Sequence, residues 1–189
     1  SVSLNSTGTV LAIGAHAQDS AAVDAGKVYL FDISGSTTTL RTTVVAPDAA
    51  ASDYFGVSVS LNSTGTVLAV GAYAQDSAAT DGGKVYLFDI SGSTTTLRTT
   101  VVAPDAAASD YFGVSVSLNS TGTVLAVGAY AQDSAATNAG KVYLFDISGS
   151  TTTLRTTVVA PDAVASDYFG MSVSLNSTGT VLAIGAHAQ

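Results

Sequence analysis

The sequence predicts an all-β chain of tandem four-stranded antiparallel sheets, and three observations carry that prediction. The first is a fixed internal period. The run SVSLNSTGTV begins at Ser1, Ser58, Ser115 and Ser172, a spacing of 57 residues. Self-similarity at such a period marks one supersecondary unit stacked several times. The second is hydrophobic patterning. Short runs either alternate with a period of two or are apolar throughout, and no segment sustains the 3.6-residue period of a helix. The third is punctuation, because clusters of Gly, Asn, Ser, Asp and Pro divide each period into four such runs.

The period divides the chain into repeat 1 (1–57, starting inside its first strand), repeat 2 (58–114), repeat 3 (115–171) and a partial repeat 4 (172–189) holding two strands. Ser172–Gln189 matches Ser1–Gln18 letter for letter, whereas the interior copies carry Val70 and Val127 for Ile13 and Ile184, and Tyr73 and Tyr130 for His16 and His187. That coincidence predicts a longer array with a 171-residue super-period, seen here through a window without capping repeats; the alternative is a finite chain whose end repeats share two substitutions.

Each strand of repeat 2 has its own signal. Phe55–Leu61 alternates, with Phe55, Val57, Val59 and Leu61 on one face and Gly56, Ser58 and Ser60 on the other. Asn62–Gly65 is a turn, and Val67–Ala72 is an unbroken apolar run, as expected of a strand buried on both faces. Tyr73–Gly83 is a polar loop. Lys84–Ile90 alternates Val85 and Leu87 against Tyr86, Phe88 and Ile90, and Ser91–Thr96 reads as a turn. Leu97–Ala103, rich in Thr, bearing Arg98 and closed by Pro104, has the chemistry that keeps an outer edge strand from pairing with strangers. A sheet apolar on both faces must stack on its neighbours, about 10 Å away. The expected architecture is therefore a row of blades of β-propeller type. It either stacks in an open superhelix or completes a toroid with other chains, since closure takes at least four blades.

Composition narrows the function. The chain has no Cys, and its 14 acidic residues, all Asp, oppose 6 basic ones for a formal charge of −8. Such a balance argues against nucleic acid, which requires a basic patch. No run reaches the eighteen or so apolar residues of a membrane span. His16 and His187 occupy one repeat position that is Tyr elsewhere and have no triad-like partner in sequence, so catalysis is not expected.

At Asp53-Tyr54-Phe55-Gly56, Thr66–Ala72 and Gly83–Asp89 the chain resembles the FG-GAP repeats, best known as the blades of the integrin α-subunit propeller. The motif positions are Phe55, Gly56 and Gly71, then Phe112, Gly113 and Gly128, then Phe169, Gly170 and Gly185. Tyr73 stands where the family commonly has Pro. The resemblance implies blade architecture throughout, an extracellular or cell-surface location, and calcium in those members whose first hairpin is rich in Asp. Here that hairpin, Ser60–Gly65, lacks any carboxylate, so no cofactor is expected and calcium is not favoured. Asp19 with Asp24, Asp76 with Asp81, and Asp133 beside Asn138 are the weak metal candidates, read first as loop caps.

Asn5, Asn62, Asn119 and Asn176 each open an N-x-[ST] sequon in a turn, with the side chain expected to point outward and carry glycan. Neighbouring repeats differ at only four positions each. The expected function is then an extracellular structural array, a glycan-decorated filament formed by head-to-tail self-association. The alternative is a propeller adhesin or lectin-like binding module with repeated weak sites.

Overall fold

A computed structural model describes residues 1–188 as strands, turns and loops, with no helix among the described residues. The first sheet holds β1 (Val2–Leu4), β2 (Val10–Ala15), β3 (Lys27–Ser34) and β4 (Thr37–Val44). The second holds β5 (Ser58–Leu61), β6 (Val67–Ala72), β7 (Lys84–Ser91) and β8 (Thr94–Val101). The third holds β9 (Ser115–Leu118), β10 (Val124–Ala129), β11 (Lys141–Ser148) and β12 (Thr151–Val158), and β13 (Ser172–Leu175) pairs with β14 (Leu182–Gly185). Sequence neighbours are sheet neighbours and every pairing is antiparallel, so each sheet is a meander.

Two boundaries differ from the sequence reading. The first strand begins at Ser58 rather than Phe55, because Tyr54 and Gly56 adopt φ of +56° and +92°, which no strand accommodates. Phe55 instead makes an isolated parallel bridge to Gly26 of the preceding blade. The last strand begins at Thr94, because Gly92, at φ +58°, tightens the hairpin to two residues and the Thr run joins the sheet. In the β7–β8 pairing, Leu87 faces Thr99 and Phe88 faces Leu97, leaving Arg98 as a bulged extra residue. The bulge aims its guanidinium at Asp89, whose carboxylate accepts the Nε–H at 3.1 Å.

The core lies between blades. Val10, Ala12, Val28 and Leu30 of the first sheet meet Val59, Leu61, Leu68, Val70, Tyr86, Phe88 and Ile90 of the second. The other face of the second, Val67, Ala69, Val85 and Leu87, meets the third through Val116, Leu118, Leu125, Val127 and Tyr143. All six residues of β6 and all six of β10 are buried, as a strand covered on both sides requires. Val59 and Leu61 are 6% and 7% exposed, whereas Val2 and Leu4, at the same repeat positions without a covering blade, are 69% and 54% exposed. Each such burial is worth roughly 1.5–3 kcal/mol, so most of a blade's stability belongs to its interfaces.

The blades form a fan. Their first strands, β1, β5, β9 and β13, lie close together, while the fourth strands touch only sparsely. At the inner edge the amides of Ser6, Ser63 and Ser120 donate to the carbonyls of Ser63, Ser120 and Ser177, each at 3.0 Å, linking blade to blade. The arrangement is an arc of propeller blades around their first strands, and the sheets do not close on themselves.

Candidate functional site

A fan of blades has two loop faces. The lower carries the tight β1–β2 and β3–β4 turns and their equivalents. The upper carries the long loops that follow β2 and β4 in each blade, and it is built at the blade boundaries. There Gly71, on β6, lies so close to the next blade that an added Cβ would sit 1.9 Å from the Gly113 carbonyl oxygen. The Ser58 hydroxyl donates to that same carbonyl at 2.7 Å. Phe112 is fully buried, edge-on to Tyr143 and Phe145 at 5.3 and 6.1 Å. Phe55-Gly56 packs the same way against Gly14, and Phe169-Gly170 against Gly128, while Gly185 holds the equivalent place on β14. The Phe-Gly and Gly-Ala motifs are thus two halves of one contact, supplied by successive blades.

A polar clasp spans the same boundary. Lys84 Nζ and the Tyr86 hydroxyl both donate to the Asp48 carboxylate, each at 2.7 Å, and the ammonium sits 5.2 Å from the Tyr86 ring centroid. Asp105, Lys141 and Tyr143 repeat the clasp at 2.6 and 2.8 Å. Burial alone would raise the Asp48 and Asp105 carboxyls, but the hydrogen bonds from Lys and Tyr outweigh it and hold both below the ordinary value. Burial pushes the Tyr86 and Tyr143 hydroxyls far up, and the adjacent carboxylate adds to it. Asp53 and Asp110 are buried beneath the same loops; desolvation raises both carboxyls despite the amides of Ala50 and Ala107 that donate to them. Nothing in the linear sequence pairs Asp48 with Lys84.

Along the inner rim of this face runs a continuous row of rings. His16, Tyr54, Tyr73, Tyr111, Tyr130, Tyr168 and His187 follow one another with centroids 6.0, 5.2, 5.5, 5.3, 5.6 and 6.3 Å apart. The tyrosines come alternately from the loops after the second and fourth strands, and each is half-buried. Tyr54, Tyr111 and Tyr168 hold φ between +55° and +58°, rare for a bulky side chain. They are pinned by amide bonds to the carbonyls of Asp24, Asp81 and Asn138 at 3.1–3.2 Å. The sequence shows the alternating His/Tyr position; its continuation through the Tyr of the Asp-Tyr-Phe-Gly motif depends on which loops meet in space.

The outward orientation expected of the sequon side chains is corrected at three of the four. Asn5, Asn62 and Asn119 are 7%, 4% and 4% exposed and turn inward. Asn62 Oδ1 accepts the amides of Thr66 and Val67 at 2.9 and 3.0 Å, while Nδ2 donates to Thr64 and Thr66. Asn176 is exposed but makes the same bonds, with Thr180 and Val181 at 2.9 and 3.0 Å. The side chain that would carry a glycan is the side chain that closes the turn.

Asp19, Asp76 and Asp133 each accept the amide five residues on, that of Asp24, Asp81 and Asn138, at 2.9, 2.8 and 2.7 Å. These carboxylates brace the upper loops. Among the described residues no three acidic or His side chains converge as a metal cage would need. No helix of the described residues is long and apolar enough to cross a membrane.

Blades that pack in a fan through Phe-Gly and Gly-Ala contacts define a propeller-type repeat protein. The family model of the FG-GAP repeat matches residues 38–88, 95–145 and 152–189, and the chain belongs to that family. The matched unit runs from the outer strand of one blade to the third strand of the next, so it straddles the boundary where the motif contact forms. No curated protein matches the chain. Among solved structures, it is similar to Sqt1 of Chaetomium thermophilum, crystallised with the N-terminus of ribosomal protein L10, with a TM-score of 0.59 at 14% identity. The match covers 94% of this chain and 40% of that one, and the likeness is one of β-propeller fold.

Proposed function

We propose that the chain is a non-catalytic binding module of an extracellular or cell-surface protein, an array of FG-GAP blades that offers one loop face repeatedly to its partner. The observation that carries this reading is where the repeats differ. Successive repeats exchange Ile13 for Val70, His16 for Tyr73, Val23 for Thr80 and Ala25 for Gly82, then Asp81 for Asn138, Gly82 for Ala139, Ala107 for Val164 and Val114 for Met171. Only the first pair lies in a strand; the rest lie on the upper loops, and the lower turns are invariant. A scaffold constrained by packing, with variation confined to one face, is the pattern of a surface that carries recognition. Members of the family are typically found in extracellular or surface proteins, which supports the location.

The second reading is a structural array formed by head-to-tail self-association of blades, motivated by the near-identity of the repeats. One pair of measurements separates the two. Beads coated with the purified chain, applied to arrays of extracellular glycans and peptides, should retain at least one class. Electron microscopy of the same material should show discrete arcs or rings. Long filaments with no retained ligand would overturn the binding-module reading in favour of the array.

A further inference from the structure

We propose that the outer hairpin of each blade is a site of O-linked glycosylation, in which the hydroxyls of Ser93, Thr94 and Thr96, and those at the same positions of the other two blades, accept a hexose or N-acetylhexosamine. This goes beyond the binding-module reading and rests on the extracellular or cell-surface location that belongs to it.

The hydroxyls of the molecule fall into two groups. Along the inner edge and in the first hairpin of each blade they are committed to the fold. Thr64 and Thr66 share a hydrogen bond of 2.7 Å and both accept from Asn62 Nδ2, while the Ser63 hydroxyl donates to the Ser120 carbonyl at 2.8 Å. Ser58 donates to the Gly113 carbonyl at 2.7 Å, and Ser60 Oγ accepts the Leu118 amide at 2.9 Å. A sugar on any of these would break a bond that closes a turn or joins two blades. The β7–β8 hairpin is the reverse. Ser93, Thr94 and Thr96 are exposed, and so are their equivalents in β3–β4 and β11–β12. Among the described residues, the one hydroxyl of a fourth strand that donates within the chain is that of Thr156, beyond the bulge, at 3.4 Å. Gly92, at φ +58°, and Gly35 and Gly149, at +59° and +58°, each turn the chain within a two-residue loop, so the following serine stands at the hairpin tip.

The strand that follows the tip is an edge in need of cover. The fourth strands are the outer edges of their sheets, and a neutral edge rich in β-branched residues is a template for pairing with other chains. A free guanidinium would guard it, but Arg41, Arg98 and Arg155 are paired with Asp32, Asp89 and Asp146 and bring no net charge. The bulge at Arg98 interrupts the ladder only after Leu97, which leaves Thr94–Leu97 regular beside the turn. Leu97 is 38% exposed there, and Leu40 is 51% exposed at the same position of the first blade. A neutral, hydrated sugar on Thr94 or Thr96 covers this half of the strand. Phosphate does not suit the same hydroxyls. Thr96 faces Asp89 across the ladder, and Arg98 is already held by that carboxylate, so a phosphoryl group would meet like charge.

The reaction is a glycosyl transfer from a nucleoside diphosphate sugar, carried out by a transferase of the host. The Ser or Thr Oγ attacks the anomeric carbon, and the glycosidic bond forms as the bond from that carbon to the phosphate oxygen breaks. The nucleoside diphosphate leaves with the electron pair, and the hydroxyl proton passes to a base of the transferase.

The test is intact-mass and fragment-ion spectrometry of the whole chain secreted from cultured eukaryotic cells behind an added leader peptide. The same chain made in the bacterial cytoplasm is the unmodified reference. The secreted chain should be heavier by whole sugar residues that resist the amidase releasing N-linked glycan, and the fragments should place them on 36–39, 93–96 and 150–153. Ser93→Ala with Thr94→Ala and Thr96→Ala should lose the sugars of its own blade and keep the other two sets. If that variant fails to fold, Ser93→Ala with Thr94→Val and Thr96→Val keeps the β-branched strand and should show the same loss. Thr99→Ala, farther along the strand, should change nothing. An unmodified secreted chain, sugars confined to the first hairpins, or phosphoryl groups in place of sugars would each overturn the proposal. The leader imposes the secretory route, so such a failure is one of the acceptor hydroxyls and not of the binding module, which the ligand arrays decide.

Discussion

At the scale of single residues, the turn asparagine and the clasp aspartate carry the most testable chemistry. Asn62 satisfies two backbone amides that would otherwise be stranded where the turn is buried by its neighbours. Asn62→Ala should cost about 1–3 kcal/mol in urea unfolding. Asn62→Asp, which keeps the acceptor, should cost less, and equal losses would mean that the Nδ2 donors matter as much. Asp48 and Asp105 have folded-state carboxyls held below their ordinary value, against burial, by Lys and Tyr donors. A depressed carboxyl stabilises the fold above its unfolded pKa, about 3.9, and that contribution disappears as pH falls through the lower folded value. The Asp48→Asn, Asp105→Asn variant should therefore melt lower than wild type at neutral pH, with the gap closing in strong acid. Asp53 and Asp110 work in the opposite sense: their raised carboxyls favour the fold below about pH 3.9, and that benefit fades as pH climbs through the folded value. A gap that stays constant across the acid range would show that the clasp acts through packing rather than charge.

Among the elements, the second strand of each blade dominates. Leu68 and Leu125 are fully buried between two sheets, and truncating either to Ala should cost about 2–5 kcal/mol. Leu182 occupies the same repeat position but is half-exposed, so its truncation should cost distinctly less. Thr99→Ala, on the outer strand, should stay within about 0.5 kcal/mol. Denaturant melts of the four variants rank them, and a loss at Thr99 rivalling that at Leu68 would mean that the outer strand is covered in solution. Much of this was legible in the repeats: the apolar run Val67–Ala72 announced a strand buried on both sides, and Thr with Arg announced an edge. The start of the first strand was not legible, because Phe55 and Val57 continue the alternation of Val59 and Leu61. Only the left-handed backbone at Tyr54 and Gly56 ends the strand, and the alternation of side chains does not encode it.

For the molecule as a whole, stability resides in a series of nearly equal interfaces, as in a one-dimensional array. We predict that bound calcium contributes nothing to it. The first hairpin of each blade has an Asn-based turn where calcium-binding relatives place carboxylates, and the upper-loop aspartates are engaged in bracing amides. Melts with and without a chelator should coincide. A drop of several degrees on chelation would place a cation among Asp76, Asp81 and their equivalents.

The sequence by itself determined the period, the four-strand meander, the two-sided burial of the second strand and the family, because these follow from local alternation, turn chemistry and repetition. Tertiary structure decided what the repeats do to one another. The Phe-Gly of one blade closes on the Gly-Ala of its neighbour, Asp48 reaches Lys84 and Tyr86 across a boundary, and Asn62 turns inward. The same packing gathers tyrosines from alternating loops into one row on the upper loop face. The physical reason is that these contacts join residues 19 to 42 positions apart, on segments that meet only in the fan, or depend on the cover a neighbour supplies. A pattern read along one strand describes that strand's two faces, and the fan determines what those faces meet.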